Sequence, residues 1–349
     1  MIYLFWEWLC VFLSKAKVDK KKASLFLLLL LWLLMAVRSV NLGINDTKNM
    51  YYYAFNIIKK ISLNQALTEN IFINEPLMTV FTWSCSKIMS FQVYIALCSL
   101  FPIVCFYKFI CDNTNKPIYG VIIFFTLFYF YESFLVKQML ALSIVLVAFK
   151  WLTRNDFIRY AVLIILAGLI HKSALILIPI YFVCKYIKIN RKFILITVFG
   201  IIFGLFFGQT ILNLIYKFNL YNFQIYIRDG IYGTNGSITF SMFIYPIITI
   251  FCYFVLKNRI QFTDFNSYFC LMFIGCVLNV WSIVVVEFYR LALYFMSPVC
   301  ILFPESIYNL TGKYKKIVTV ISLLLFMGYA FKIAFNCNCL EYHTFLYDR

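Results

Sequence analysis

Residues 158–187 read IRYAVLIILAGLIHKSALILIPIYFVCKYI. Two apolar runs flank one polar triplet, His171-Lys172-Ser173, and basic residues stand near both ends (Arg159, Lys185). The runs are apolar all round, as expected of helices whose surroundings are themselves apolar. The segment therefore reads as a membrane hairpin that turns at His171, with its basic ends on the opposite side.

The rest of the chain repeats this pattern. Of 349 residues, 64% are hydrophobic and 13% charged, against about 45–50% and 25% in soluble domains. The expected fold class is all-α, a polytopic membrane helix bundle forming a single integral membrane domain over residues 1–349. Apolar runs fall at residues 1–13, 24–40, 91–110, 118–133, 138–152, 157–170, 174–187, 193–216, 241–256, 265–286, 291–303 and 317–335. At ~20 residues per crossing this predicts about twelve transmembrane helices, several of them short, and leaves no room for a soluble domain. The N-terminal run lacks a basic n-region and a cleavage site, so it is expected to stay in the mature chain.

The net charge of +17 carries no message about nucleic acid, because the basic residues punctuate apolar runs instead of forming one face. The densest cluster, Lys15, Lys17, Lys20, Lys21 and Lys22, places its loop in the cytoplasm. Strict alternation then also puts Lys185/Lys188/Arg191/Lys192, Lys257/Arg259 and Lys313/Lys315/Lys316 inside, provided that Glu75–Ser90 does not cross. That stretch, EPLMTVFTWSCSKIMS, reads as a re-entrant or interfacial helix on the outer side. The outer side also receives two long segments, residues 41–75 and 217–240, the second containing Gly230, Gly233 and Gly236. Most of the 12 Cys lie inside apolar runs (Cys98, Cys105, Cys184, Cys252, Cys270, Cys276), where a thiol packs as a small hydrophobe. Cys337 and Cys339 in the polar tail have no nearby pair to complete a metal site, so no metal is expected.

An ionisable group in or near hydrocarbon is costly and signals function by default. Such groups gather at the outer ends of the spans: Arg38, Asp46, Glu75, Lys137 with Gln138, His171-Lys172-Ser173, and Glu287 with Arg290. Each also has a plain alternative. Arg38 could snorkel, Asp46 could form a turn, Glu75 could serve the N-terminus of its helix beside Pro76, Lys137 could anchor at the interface, and Glu287 and Arg290 could simply pair three residues apart. Their convergence on one side is the informative feature. Arg38, Lys137, Lys172 and Arg290 would suit an anionic ligand, and the carboxylates and imidazole could take a proton from a hydroxyl. Together they point to chemistry on a lipid-linked phosphate at the outer leaflet.

The succession Arg38, Gly43, Asp46, Tyr53, then Glu75-Pro76, Lys137-Gln138-Met139-Leu140-Ala141, His171-Lys172-Ser173-Ala174-Leu175-Ile176 with Pro179, and Tyr289-Arg290 resembles the EpsG family of Wzy-like polysaccharide polymerases. The block IHKSALILIP is the most specific part. Where the family usually has Arg before the Gln, this chain has Lys137, which keeps the charge but not the bidentate geometry.

The resemblance implies a metal-independent, cofactor-free membrane glycosyltransferase. It would move a growing glycan from undecaprenyl diphosphate to a sugar hydroxyl of the next lipid-linked repeat unit, making an O-antigen, capsule or exopolysaccharide. The implied setting is the bacterial plasma membrane, with the site facing the periplasmic or extracellular side. The implied partners are the undecaprenyl-diphosphate-linked oligosaccharide, membrane lipids, a chain-length regulator and a flippase, with no nucleic acid. On this reading Arg38 and Arg290, then Lys137, Lys172 and the neighbouring Gln138 and Ser173, hold the diphosphate. His171 is the first choice of base, followed by Asp46 and Glu75, and a diphosphate-orienting role for His171 stays open.

Two rivals have a different site signature. A flippase of lipid-linked oligosaccharide should carry its ionisable groups near the midplane, often with repeat symmetry. A membrane acyltransferase of surface glycans would be expected to place a catalytic His and Arg residues early in the chain, whereas the first His here is His171.

Overall fold

The computed structural model describes residues 2–42, 47–217, 239, 241–258, 262–283, 287–337, 339 and 342–348. Among these the regular structure is helical, apart from one isolated antiparallel bridge between Arg38 and Thr344. The predicted outer segment at residues 217–240, with its three glycines, lies outside the described residues except for its first residue and Thr239.

The apolar runs become helices whose ends follow ordinary capping chemistry. Helix α1 (Ile2–Lys15) ends where the Lys20 ammonium donates to the carbonyls of Leu13 and Ser14. Asp19 then caps α2 (Lys20–Ala36) by accepting from the backbone N–H groups of Lys21 and Lys22, as an N-cap carboxylate should. Two short helices follow, α3 (Tyr53–Lys60) and α4 (Leu63–Thr68), the latter opened by a Ser62/Gln65 capping box. The stretch expected not to cross is α5 (Pro76–Ile88). Its 13 residues span only about 20 Å at 1.5 Å per residue, less than a bilayer core of ~30 Å.

Ser90 caps α6 (Phe91–Asn113), Pro117 opens α7 (Pro117–Leu127), and a 3-10 turn (Tyr129–Ser133) leads into α8 (Val136–Thr153). Asp156 caps α9 (Phe157–Ile170), which a second 3-10 turn (Lys172–Ile176) joins to α10 (Leu177–Tyr186). Then come α11 (Arg191–Lys217), α12 (Ser241–Leu256), α13 (Phe262–Trp281), α14 (Phe288–Met296), α15 (Val299–Asn309) and α16 (Gly312–Asn336).

Four of these helices, α6, α8, α11 and α16, are long and apolar enough to cross a membrane, and the bent pair α14–α15 makes a fifth if counted as one span. The apolar helices α7, α9 and α12, and the stretch Phe265–Trp281 of α13, fall below that length.

The chain divides into two compact units, residues 1–178 with 303–349, and residues 179–302. In the first, α8 packs on α6 and α9, α2 on α6 and α7, and the short helices α3 and α4 on α5. The apolar stretch of α8 is 67% buried and that of α16 only 28%, so α8 lies in the core and most of α16 faces outward. Indole and phenol groups bond across the helices to backbone carbonyls: Trp6 to Leu27, Trp32 to Ala96 and Tyr129 to Leu31. In an apolar setting such bonds satisfy groups that hydrocarbon cannot.

In the second unit α13 packs on α11, α12 and α14. Trp281 lies over Gly204 and donates to the Gly200 carbonyl at 2.8 Å. A Cβ at Gly204 would sit 2.7 Å from Trp281 Cε2, so the glycine is what permits this approach.

Candidate functional site

The first unit brings three of the predicted residues into one bonded group. Glu75 precedes α5, with Pro76 at the first helical position, where fixed φ and a missing N–H suit the start of a helix. Asn74 takes a positive φ of 58°, steadied by its N–H donating to the Asn70 side chain at 2.7 Å. This turn sends the Glu75 side chain inward, where it is 2% exposed. Lys137 comes from the first turn of α8 and His171 from the end of α9.

Glu75 bridges the other two. Its Oε1 is 2.6 Å from His171 Nδ1 and its Oε2 is 2.6 Å from Lys137 Nζ. Two charge-assisted contacts of this length sit at the short end of the range. The Lys137 ammonium also lies 5.3 Å from the centre of the Phe72 ring, and its backbone N–H donates to the Tyr51 hydroxyl at 3.2 Å.

Electrostatics follow from this bridge. Burial pushes the Glu75 carboxyl up, but the hydrogen bond from His171 and the charge of Lys137 outweigh it and leave the group below its ordinary value of 4.5. Glu75 is thus held as a carboxylate that accepts from both neighbours. In the neutral tautomer that donates Nδ1–H to Glu75, the imidazole's second nitrogen, Nε2, carries the lone pair. His171 is more open than its partners, at 24% side-chain exposure. The group is a partly exposed imidazole oriented by a buried carboxylate, the carboxylate–imidazole arrangement that general bases use.

The position of His171 depends on the turn that follows it. Its N–H donates to Ala167 and its carbonyl accepts from Ala174. Leu175 of that turn folds back over Gly168, and a Cβ there would fall 2.6 Å from Leu175 Cγ. Lys172, next to the imidazole, is exposed, and Ser173 is half-buried. Gln138, beside Lys137, is buried.

Arg38, in the same unit, makes its bonds to other partners. Arg38 is 2% exposed and lies against Met35 Sδ and the Ser133 carbonyl. Asp46 lies outside the described residues. Arg290, in the second unit, pairs with Glu287 at 3.2 Å and donates to the Tyr289 hydroxyl. The i,i+3 pairing weighed from the sequence is thus made. The sequence reading passed over Glu132, a buried carboxylate beside Ser133. The signal was present: one acidic residue in the apolar stretch FFTLFYFYESFLV, residues 124–136, is conspicuous on cost alone.

Among the described residues no group of three His, Cys, Asp or Glu side chains converges to hold a metal ion. Cys337 and Cys339 are both buried as free thiols.

No curated protein and no solved structure matches the chain. The family model described as EpsG family matches residues 21–347, nearly the full length, and the chain belongs to the EpsG family.

Proposed function

We propose that this protein is a polymerase of surface polysaccharide, which moves a growing glycan from a lipid diphosphate to a sugar hydroxyl of the next lipid-linked repeat unit. The observation that carries the reading is the His171–Glu75–Lys137 group, found in a helical membrane protein of the EpsG family. In the proposed reaction His171 Nε2 takes the proton of the acceptor hydroxyl. The hydroxyl oxygen bonds to the anomeric carbon as the bond from that carbon to the diphosphate oxygen breaks. The charge gained by the leaving diphosphate is met by fixed cations, for which Lys172 and Lys137 are the proposed groups. Gln138 and Ser173 are proposed to support the same ligand.

The finer setting belongs to the same proposal. It comprises about twelve crossings in a bacterial plasma membrane, a site facing away from the cytoplasm, undecaprenyl diphosphate as carrier, and a flippase and chain-length regulator as partners. The basic clusters near Lys15–Lys22 and Lys313–Lys316 support this orientation by the positive-inside rule.

Elongation of purified lipid-linked repeat units by the purified protein tests the reading directly. In cells, His171→Ala is expected to abolish long chains while single lipid-linked units accumulate in the outer leaflet. Accumulation in the inner leaflet would instead establish a flippase, and normal chains at normal protein levels would remove His171 from the reaction.

A further inference from the structure

Glu132 lies in the 3-10 turn between α7 and α8, 2% exposed, and neither of its carboxylate oxygens has a hydrogen-bond partner. Arg38 is equally buried and leaves its Nε unpaired. Both side chains line one cavity, together with Cys98, Ser99, Val136 and Met139, with room for about one water molecule. A guanidinium does not give up its proton in a protein, so burying it calls for a compensating polar group. Glu132 is the acidic side chain in that cavity lining.

The surroundings seal this pair and connect it to the site. The C-terminal tail lies against the end of α2: the Ser39 N–H donates to His343 at 2.9 Å and the Phe345 N–H to Val37 at 3.0 Å. The Ser133 carbonyl accepts from Arg38 Nη2 at 3.4 Å and from the Thr47 hydroxyl. Ser133 precedes Lys137 by four residues, across the break that opens α8, and Tyr51, in the same π-helical turn as Thr47, accepts from the Lys137 N–H.

We propose that Arg38 and Glu132 act as one buried positioning pair, joined through the cavity they share, which holds the Ser133 turn and so sets where Lys137 meets Glu75. Arg38 then acts through Ser133, without touching the diphosphate. This rests on reading the His171–Glu75–Lys137 group as the reaction site, and the test separates the two claims.

The full-length protein is compared with Arg38→Met, Glu132→Leu and the double variant. Each single change leaves the other group buried without its compensating charge and is expected to lower the midpoint of thermal unfolding. The double change removes both groups and is expected to recover at least about half of the summed loss. Additive losses would overturn the pairing. Should a single variant fail to fold, recovery of folded protein in the double reads the same coupling.

Positioning is read by peptide-resolved acetylation of Lys137, expected to rise about threefold or more in the double variant as the ammonium leaves Glu75; an unchanged rate overturns the role. In elongation assays the double variant is expected to lose about tenfold in kcat with KM within about twofold, and Glu132→Gln to recover most of the rate. A rise in KM at unchanged kcat would show that Arg38 touches the substrate. If the wild-type protein elongates nothing, the polymerase reading fails while the stability cycle and the acetylation still decide the pair.

Discussion

Glu75→Gln is the change that most directly tests how the site works. The carboxylate accepts from two donors at once, Lys137 Nζ and His171 Nδ1, each at 2.6 Å. A glutamine amide has one oxygen and one NH2, so it can serve only one of them as acceptor. The Lys137 ammonium takes the oxygen, because a bond from an ammonium to a carbonyl is stronger than one from a neutral imidazole. The NH2 then faces His171 Nδ1 and donates to it, which moves the ring proton to Nε2. The variant keeps the shape of the site but presents an N–H where the wild type presents a lone pair.

A hydrogen bond to a charged group contributes about 1.5–3 kcal/mol, which as lost transition-state stabilisation corresponds to about a 10- to 150-fold drop in kcat. Because Glu75 is 2% exposed and the glutamine oxygen keeps the bond from Lys137, KM is expected to stay within about twofold. The assay is the initial rate of elongation of purified lipid-linked repeat units by protein in lipid nanodiscs, with folding checked by thermal unfolding. A folded Glu75→Gln protein with kcat within about threefold of wild type would refute the assignment of His171 as a base oriented by Glu75.

Further outcomes follow from the same structure. The folded-state pKa of Glu75 lies below 4.5, so its contribution to stability is fully present above that value and is lost as pH falls through the lower folded one. The gap in unfolding midpoint between wild type and Glu75→Gln should hold steady from about pH 7 to pH 5 and close only on further acidification; a gap that closes near neutrality contradicts the bridge. Lys137→Met leaves a buried carboxylate facing only His171 and is expected to destabilise the protein by about 3 kcal/mol, whereas Lys137→Arg, which keeps the charge, should cost much less by the same denaturation measurement. Gly204→Ala would press a methyl group onto Trp281 and is expected to cost about 1–3 kcal/mol, with a shift in tryptophan fluorescence. Deletion of residues 337–349 removes the acceptor of the Ser39 N–H, and amide exchange there should speed up by about tenfold or more, a result that leaves the helical content intact.

Much of the fold could be read from local pattern. Apolar runs bounded by Lys, Arg, Ser, Asp and Pro became helices ending near those residues, from Asp19 before α2 to Pro117 at the start of α7. The stretch after Glu75 is indeed a short helix, one that helical rise alone makes too short to span. The count of crossings was less accessible, because runs such as residues 118–133 divide into a helix and a 3-10 turn. Helix length depends on where the backbone turns as well as on hydropathy.

The site shows the same division. Composition and insertion cost alone marked Glu75, Lys137 and His171 as expensive groups needing a reason, and that depends only on the chemistry of each residue and its flanks. That one carboxylate bridges the other two depends on α5, α8 and α9 meeting. It joins positions 62 and 96 residues apart in the chain, a separation over which no local pattern carries information. The same packing puts Arg38 beside Glu132 and Ser133, with its own bonds going to Met35 and Ser133. Charge and flanking sequence make Arg38 and Lys137 look like equals. Burial separates them, since a cation under the C-terminal tail answers to the groups that enclose it, and burial is a property of the assembled helices.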